Sequence, residues 1–233
     1  MLLFLNPITI LIAAAVIPAL ILLVEVYKYD RLEPEPPNLL WSLVLKGIIA
    51  TALAVVTERI GMGLAARLFQ EGSFFYYVFV MYLVVGLSEE GFKYLLLHRA
   101  TWNSPFFNCR FDGVVYAVFV SLGFALWENI TYVFSYGLGT ALVRAITAVP
   151  GHACFGVFMG SWYGLAKKQQ LWGREDASVV CRTIAVIIPV LIHGTYDLIA
   201  TIGNSWIFIV FIAVMFAVSF ITIRKLSVED HYL

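Results

Sequence analysis

Seven long apolar segments, separated by short polar connections, constrain this chain more than any other feature of its sequence. A helix that crosses a bilayer needs about 20 mostly apolar residues. In the first connection, three prolines prevent a helix from continuing (Pro34, Pro36 and Pro37). The pattern predicts an all-α fold, a polytopic membrane bundle of about seven transmembrane helices. The segments lie at about 7–27, 39–57, 74–98, 111–136, 140–166, 179–200 and 205–224.

The composition supports a bilayer as the surrounding solvent. Hydrophobic residues make up 61% of the 233 residues and charged residues only 13%, whereas soluble domains average about 25% charged residues. A chain of this size could not bury so much apolar surface in water. The net charge is zero and no basic run occurs, so a nucleic-acid partner is not expected. We predict one integral membrane domain over residues 1–233, with the lipid bilayer as its environment.

Two features of the sequence carry little functional signal. Segment 58–73 mixes charged and apolar residues, and it is interpreted either as an amphipathic helix at the membrane interface or as a further crossing.

The three cysteines, Cys109, Cys154 and Cys181, are widely spaced and form no CxxC pair. None of the three cysteines is therefore predicted to be a nucleophile or a metal ligand.

The distribution of lysine and arginine predicts the orientation. Cytoplasmic connections carry an excess of these residues. Ten fall on the side that holds the C-terminus, against three on the opposite side, at Arg59, Arg67 and Arg144. We therefore expect a multi-pass protein of the cell membrane with its N-terminus outside and its C-terminus in the cytoplasm. The ten are Lys28, Arg31, Arg99, Arg110, Lys167, Lys168, Arg174, Arg182, Arg224 and Lys225.

The third segment contains two adjacent glutamates, which are costly in a membrane and therefore indicate function. Glu89 and Lys93 are four residues apart, the spacing of an ion pair along one helix face. Glu90 is expected to point about 100° away from that face, which leaves it free for another role. A structural ion pair would account for one glutamate but not for both.

The fourth segment adds further polar groups. Asp112 stands at its start, where a carboxylate can cap free backbone N–H groups. Glu128 and Asn129 lie well inside it, and Phe124 is one helical turn before Glu128. Because Glu128 and Asn129 need polar partners at that depth, we favour a functional role for both.

Two histidines lie in the fifth and sixth segments. The fifth segment has a spacing of four residues that runs through Arg144, Ala148 and His152. The same spacing continues in a stripe of glycines, which allows close helix packing, at Gly156, Gly160 and Gly164. His193 and Asp197 share a helix face, so the carboxylate can orient the imidazole. At about 1.5 Å per residue, Glu89, Glu128 and both histidines fall at one level near or just outside the membrane centre.

Glutamates and histidines in a water-filled membrane cavity suit two kinds of hydrolysis. In one, a glutamate acts as a general base and the histidines stabilise the oxyanion, with no metal. In the other, two histidines and one or two carboxylates bind Zn²⁺ while a spare glutamate accepts a proton. The sequence contains neither GxSxG nor HExxH. Outside hydrolysis, an ion-coupled transporter remains the alternative.

The ordered motifs resemble the PrsW family of intramembrane peptidases, which are distant relatives of the CAAX-processing glutamate proteases. The resemblance covers about 85–200 and rests on four motifs, with Asp112, Gly113, Tyr116 and Arg144 as flanking matches. The motifs are Glu89-Glu90-xx-Lys93, Phe124-xxx-Glu128-Asn129, His152 and His193-xxx-Asp197.

The resemblance implies a membrane peptidase with its core at about 74–200. The implied substrate is a membrane-anchored regulatory protein, such as an anti-sigma factor, cut near the outer membrane face in a site-1 type of cleavage. A CAAX-type processing peptidase is a second alternative. The expected catalytic residues are Glu89, Glu90, His152 and His193, and Zn²⁺, if bound, would be held by Glu128, His152, His193 and Asp197. Expected to contact substrate or support the site are Lys93, Phe124, Asn129 and Arg144.

Overall fold

A computed structural model describes residues 6–233 and contains nine α-helices and one π-helical segment. Seven spans are long and apolar enough to cross a membrane, which confirms the predicted all-α membrane bundle. Within the described residues, β-structure is limited to one isolated bridge between Cys109 and Tyr232. The helices are α1 (Pro7–Tyr29), α2 (Pro37–Leu68), α3 (Phe74–Val78), α4 (Leu87–Thr101), α5 (Asp112–Tyr136), α6 (Leu138–Ile146), α7 (Ala148–Leu171), α8 (Glu175–Ile202) and α9 (Ser205–Val228), with the π-helical segment at Phe79–Gly86.

Segment 58–73 is neither an interfacial helix nor a further crossing. Helix α2 continues without interruption to Leu68, and only 69–73 connect it to the next span. Glu58, Arg59 and Arg67 therefore lie along the last turns of a 32-residue helix, and Glu71 lies in the connection that follows. Both interpretations of 58–73 from the sequence were wrong, because the charges suggested a helix end that the backbone does not contain.

The fifth span is broken, contrary to the single helix expected over 140–166. Helix α6 ends at Ile146, Thr147 has non-helical dihedral angles, and α7 starts at Ala148. Pro150 lacks the N–H that a continuous helix would direct to the carbonyl of Ile146, so the backbone breaks there. The break separates Arg144 from the helix that carries His152.

The third span is irregular where one regular helix was expected over 74–98. Residues 79–86 are π-helical, and α4 then continues to Thr101. Such segments are frequent at functional sites, and this one ends three residues before Glu89. Gly86 closes it in contact with α8, where an added Cβ would lie 3.1 Å from the carbonyl oxygen of Val190.

Helix α5 forms the centre of the bundle and packs against α7, α2 and α1. Its most apolar stretch is 78% buried, against 17% for the corresponding stretches of α1 and α9. The glycine stripe of α7 packs on it, since a Cβ at Gly160 would collide with the backbone of Gly113 and Val114. Close contact between the α5 and α7 backbones therefore requires glycine at this position.

The two ends of the bundle are distinct. The C-terminal segment lies beside the start of α5, where the N–H of Leu233 donates to the carbonyl of Asn108 over 2.8 Å. The hydroxyl of Ser227 donates to the carbonyl of Tyr29 at the end of α1. The C-terminus thus lies at the end of the bundle that holds the 30–36 and 102–111 connections.

Candidate active site

Polar side chains from four helices meet inside the bundle. Helix α4 supplies Glu89, Glu90 and Lys93, helix α5 supplies Glu128, helix α7 His152 and helix α8 His193. Glu90 and Lys93 are fully buried, and Glu89 and both histidines expose no more than 5% of their surface. Buried ionisable groups need partners, and these side chains supply them to one another.

Lys93 is the positive centre of the cluster. Its Nζ lies 2.7 Å from Oε1 of Glu90 and 3.4 Å from Oε2 of Glu89, and it lies 4.0 Å from the ring centroid of Phe124. The expectation that Glu90 points away, free of Lys93, was therefore wrong. Adjacent helical positions diverge by about 100°, but a lysine side chain is long enough to reach both carboxylates.

His152 connects this cluster to the carboxylate on α5. Its Nδ1 lies 2.9 Å from Nζ of Lys93, and its Nε2 lies 2.9 Å from Oε2 of Glu128. An ammonium group can only donate, so Nδ1 accepts and Nε2–H donates to Glu128. This hydrogen-bond pattern selects the neutral imidazole with its proton on Nε2.

Glu128 is held by a second cation from across the break in the fifth span. Nη2 of Arg144 donates to Oε2 of Glu128 over 2.7 Å, and Nε donates to Oδ1 of Asn129 over 3.0 Å. The amide of Asn129 in turn donates to the backbone carbonyl of Ala15 on α1 over 2.8 Å. Asn129 thus fixes the guanidinium, and the guanidinium fixes the carboxylate.

His193 lies between the α4 glutamates and Asp197. Its Nδ1–H donates to Oε1 of Glu90 over 2.9 Å, and Nε2 lies 3.5 Å from Oδ2 of Asp197. The ring of Phe155 stacks on the imidazole with a centroid distance of 4.6 Å. These three contacts fix the rotation of His193, and its ring centroid lies 5.3 Å from that of His152.

A cavity of about 870 Å³ borders the cluster. This volume is near the upper end of the range of about 300–1,000 Å³ that is typical of ligand cavities. Glu89, Glu128, Asp197 and both histidines line it, whereas Glu90 and Lys93 do not. Of the two adjacent glutamates, Glu89 is therefore the one that a molecule in the cavity could contact.

The donor atoms of the cluster fit a metal ion. Glu89, Glu90, His152 and His193 each offer one ligand atom, and these atoms lie within 4.8 Å of one another. Two imidazoles and two carboxylates are ligands that Zn²⁺ accepts, and because both nitrogens of His152 are hydrogen-bonded, an ion bound there would replace one of these two contacts. Oε2 of Glu90 is buried and has no hydrogen-bond partner among the described residues, which leaves it free to coordinate.

The structure brings all the residues expected at the site into one connected network. Glu128 and Asp197, expected as metal ligands, lie outside this group of four donors and contact the histidines instead. Asp112 lies outside the site and binds the preceding loop, where its Oδ2 accepts from the N–H groups of Asn108 and Cys109.

Sequence reasoning missed several residues that line the cavity. Glu58 and Tyr196 line the cavity, and Phe155, which also lines it, stacks on His193. A signal existed for Phe155, which follows His152 by three residues and shares its helix face. Glu58 was assigned to the ambiguous segment 58–73 and not to a membrane helix.

Comparison with known proteins identifies the family. Residues 35–223 match the family described as "PrsW family intramembrane metalloprotease". The chain belongs to the PrsW family. This confirms the resemblance drawn from the four motifs, and all four lie inside the matched range.

Individual PrsW relatives match over most of their length. Protease PrsW of Bacillus subtilis (strain 168) is 33% identical over 202 residues, which cover 85% of this chain and 86% of the relative. Protease PrsW of Clostridioides difficile (strain 630) is 32% identical over 217 residues, which cover 91% and 88%. No solved structure matches this chain.

Proposed function

We propose that this protein is an intramembrane peptidase that hydrolyses a peptide bond in a membrane-anchored protein. The observation that carries the proposal is the position of Glu89, a carboxylate at the cavity wall beside two oriented histidines. The relatives are named Protease PrsW, in agreement with this chemistry.

In the proposed reaction, Glu89 acts as the general base. It accepts a proton from the attacking water and later delivers it to the leaving amine. Lys93, 3.4 Å from Oε2 of Glu89, places a positive charge beside this buried carboxylate. Glu90 is not exposed to the cavity, so its role is to hold Lys93 and His193 in place.

His152 and His193 face the space in which the scissile carbonyl would lie. Without a metal, the Nε2–H of a protonated His193 would stabilise the oxyanion, because the N–H of His152 is donated to Glu128 and the Nδ1–H of His193 to Glu90. With Zn²⁺, the ligands would be Glu90, His152 and His193, which leaves Glu89 as the base, and the ion would supply Lewis acidity that polarises the carbonyl. Glu128 and Asp197 would orient the histidines in either case.

The proposed substrate is a single-span regulatory protein of the anti-sigma-factor type, cut near the outer membrane face. The cavity is lined by residues close to the ends of α5 and α8, including Thr131 and Thr201. That end of the bundle is opposite the C-terminus. If the C-terminus is cytoplasmic, as the charge distribution predicts, the cavity reaches the outer half of the membrane.

The test is cleavage of a single-span reporter by the purified protein in liposomes, with His152→Ala, His193→Ala and the double variant. Residues that act as a unit are strongly non-additive, so we expect near-equal, near-complete losses in all three. His98→Ala is the matched control, because His98 stacks on Trp102 away from the cavity. Absence of cleavage by the unmodified protein, together with ion flux across the liposomes, would support a transporter instead.

A second set of reporters tests the substrate class. A single-span anti-sigma factor should be cut on its outer side in cells that contain the protein and remain intact in cells that contain the double histidine variant. Cleavage restricted to prenylated peptides would favour a CAAX-type processing peptidase.

A further inference from the structure

A second group of chemically reactive side chains lies at the end of the bundle that holds the C-terminus. Sγ of Cys109 and one carboxylate oxygen each of Asp112 and Asp230 lie within 4.8 Å of one another. The three residues come from the 102–111 connection, the first turn of α5 and the C-terminal segment. The active-site network described above uses none of them.

Two further carboxylates are buried beside this group. Asp30 exposes 5% of its surface and Glu35 exposes 4%, and both belong to the connection between α1 and α2. Oδ1 of Asp30 and Oε2 of Glu35 are buried and have no hydrogen-bond partner among the described residues. A buried carboxylate oxygen without a partner is costly, so these two atoms point to a missing ligand.

The neighbouring charges that act on the Cys109 thiol are carboxylates. Burial, followed by the nearby charges of Asp112, Asp230, Glu33 and Asp30, raises the pKa of Cys109. Burial, together with the charges of neighbouring carboxylates, raises the pKa of Asp30 to about 6 and that of Glu35 to about 7. Within residues 6–233, no lysine or arginine forms an ion pair with any of these carboxylates.

We propose that Cys109, Asp112 and Asp230 bind a divalent cation of the Zn²⁺ class, with Asp30 and Glu35 as neighbouring oxygen donors. One thiolate with carboxylates is a mixed sulfur and oxygen donor set, which suits Zn²⁺, Co²⁺ or Cd²⁺ better than Mg²⁺. Zn²⁺ bonds to oxygen and sulfur are about 2.0–2.3 Å long, so donor atoms this close can reach one ion. The cation replaces the thiol proton and neutralises the carboxylates. The prediction from sequence that no cysteine is a metal ligand is revised for Cys109.

The cation would join two distant parts of the chain. The C-terminal segment already contacts the loop before α5, where the N–H of Phe111 donates to Oδ1 of Asp230 over 3.1 Å. Cys109 and Tyr232 pair as an isolated bridge. Coordination by both Cys109 and Asp230 would fasten the C-terminus to the start of α5, the helix that also carries Glu128.

The test is a titration of the purified full-length protein with Cd²⁺, monitored by the ultraviolet charge-transfer absorption of a thiolate-bound metal. The active site contributes only nitrogen and oxygen donors, so metal bound there gives no sulfur absorption. We expect one equivalent of this absorption, lost in Cys109→Ser and kept in Cys181→Ser. Asp230→Asn, which leaves the thiol in place, should weaken the apparent affinity at least tenfold, and Zn²⁺ should displace Cd²⁺.

Two outcomes would overturn the proposal. One is no sulfur-to-metal absorption in the unmodified protein at millimolar Cd²⁺. The other is an absorption that persists in Cys109→Ser or is unchanged in Asp230→Asn. Because this signal does not depend on cleavage, its failure is distinguishable from failure of the proposed peptidase activity.

Discussion

His152 bridges Lys93 and Glu128, with Nδ1 2.9 Å from Nζ of the lysine and Nε2 2.9 Å from Oε2 of the glutamate. One neutral imidazole therefore connects the charged residues of α4 to those of α5 and α6. Because Arg144 holds Glu128 on the far side, a change at the arginine should reach the α4 carboxylates through this histidine.

Replacing Arg144 with alanine should lower the turnover of the reporter about 10–100-fold, the range for residues that orient a metal ligand or catalytic group. The reason is that Glu128 loses its cation and no longer fixes His152. Arg182→Ala is the matched control, since Arg182 pairs with an exposed glutamate at the helix surface and such pairs contribute little. The rates of both variants are measured on the single-span reporter. Equal effects of the two substitutions would contradict the role of Arg144.

Replacing Lys93 with methionine should lower the free energy of unfolding by about 3–5 kcal/mol, the usual cost of removing one partner of a buried ion pair. Glu90 would keep a buried charge without its ammonium partner. The double variant Lys93→Met/Glu90→Gln should recover a large part of this loss. Thermal unfolding in detergent measures the stability of the single and the double variant. A double variant less stable than Lys93→Met would indicate that Lys93 and Glu90 do not form the principal pair.

An alanine at Gly160 should destabilise the bundle by about 1–3 kcal/mol, as overpacking does. Its Cβ would collide with the backbone of Gly113 and Val114 and force α5 and α7 apart. Gly91→Ala is the control within a helix, because nothing lies within 4 Å of a Cβ added there. The melting temperature of Gly91→Ala should be unchanged or higher. A Gly160→Ala protein with an unchanged melting temperature would show that the two helices can separate without cost.

The orientation is tested with reporters fused to the full chain. The excess of lysine and arginine at one end predicts that a reporter after Leu233 is cytoplasmic and that one inserted near Gly137 is outside. The activity of a reporter that folds only outside the cytoplasm shows on which side of the membrane each fusion point lies. A C-terminus found outside would reverse the proposed direction in which the cavity faces.

The sequence was sufficient to predict the parts of the site that depend on local periodicity. Glu89 with Lys93, and His193 with Asp197, are pairs at a spacing of four, and both are in contact in the structure. The 3.6-residue helical repeat alone predicts such contacts. The number of spans and their helical form could be predicted from segment length and polarity, because a backbone inside a bilayer must satisfy its own hydrogen bonds.

Contacts that depend on helix packing could not be predicted in this way. The bond from Arg144 to Glu128 requires the turn at Gly137 and the break at Thr147. Asn129 bonds to the carbonyl of Ala15, which is 114 residues away in the chain. The choice of Glu89 over Glu90 as the cavity residue likewise depends on where α8 packs, which periodicity does not specify.

The most direct test of the account is the rate of reporter cleavage by purified Glu89→Gln protein. General-base catalysis contributes about 10²–10⁴-fold, so the rate should fall by at least 100-fold while the melting temperature stays close to that of the unmodified protein. Glu71→Gln, an exposed residue in the 69–73 connection, should retain full activity. A folded Glu89→Gln protein that cleaves the reporter at the unmodified rate would contradict the assignment of Glu89 as the base.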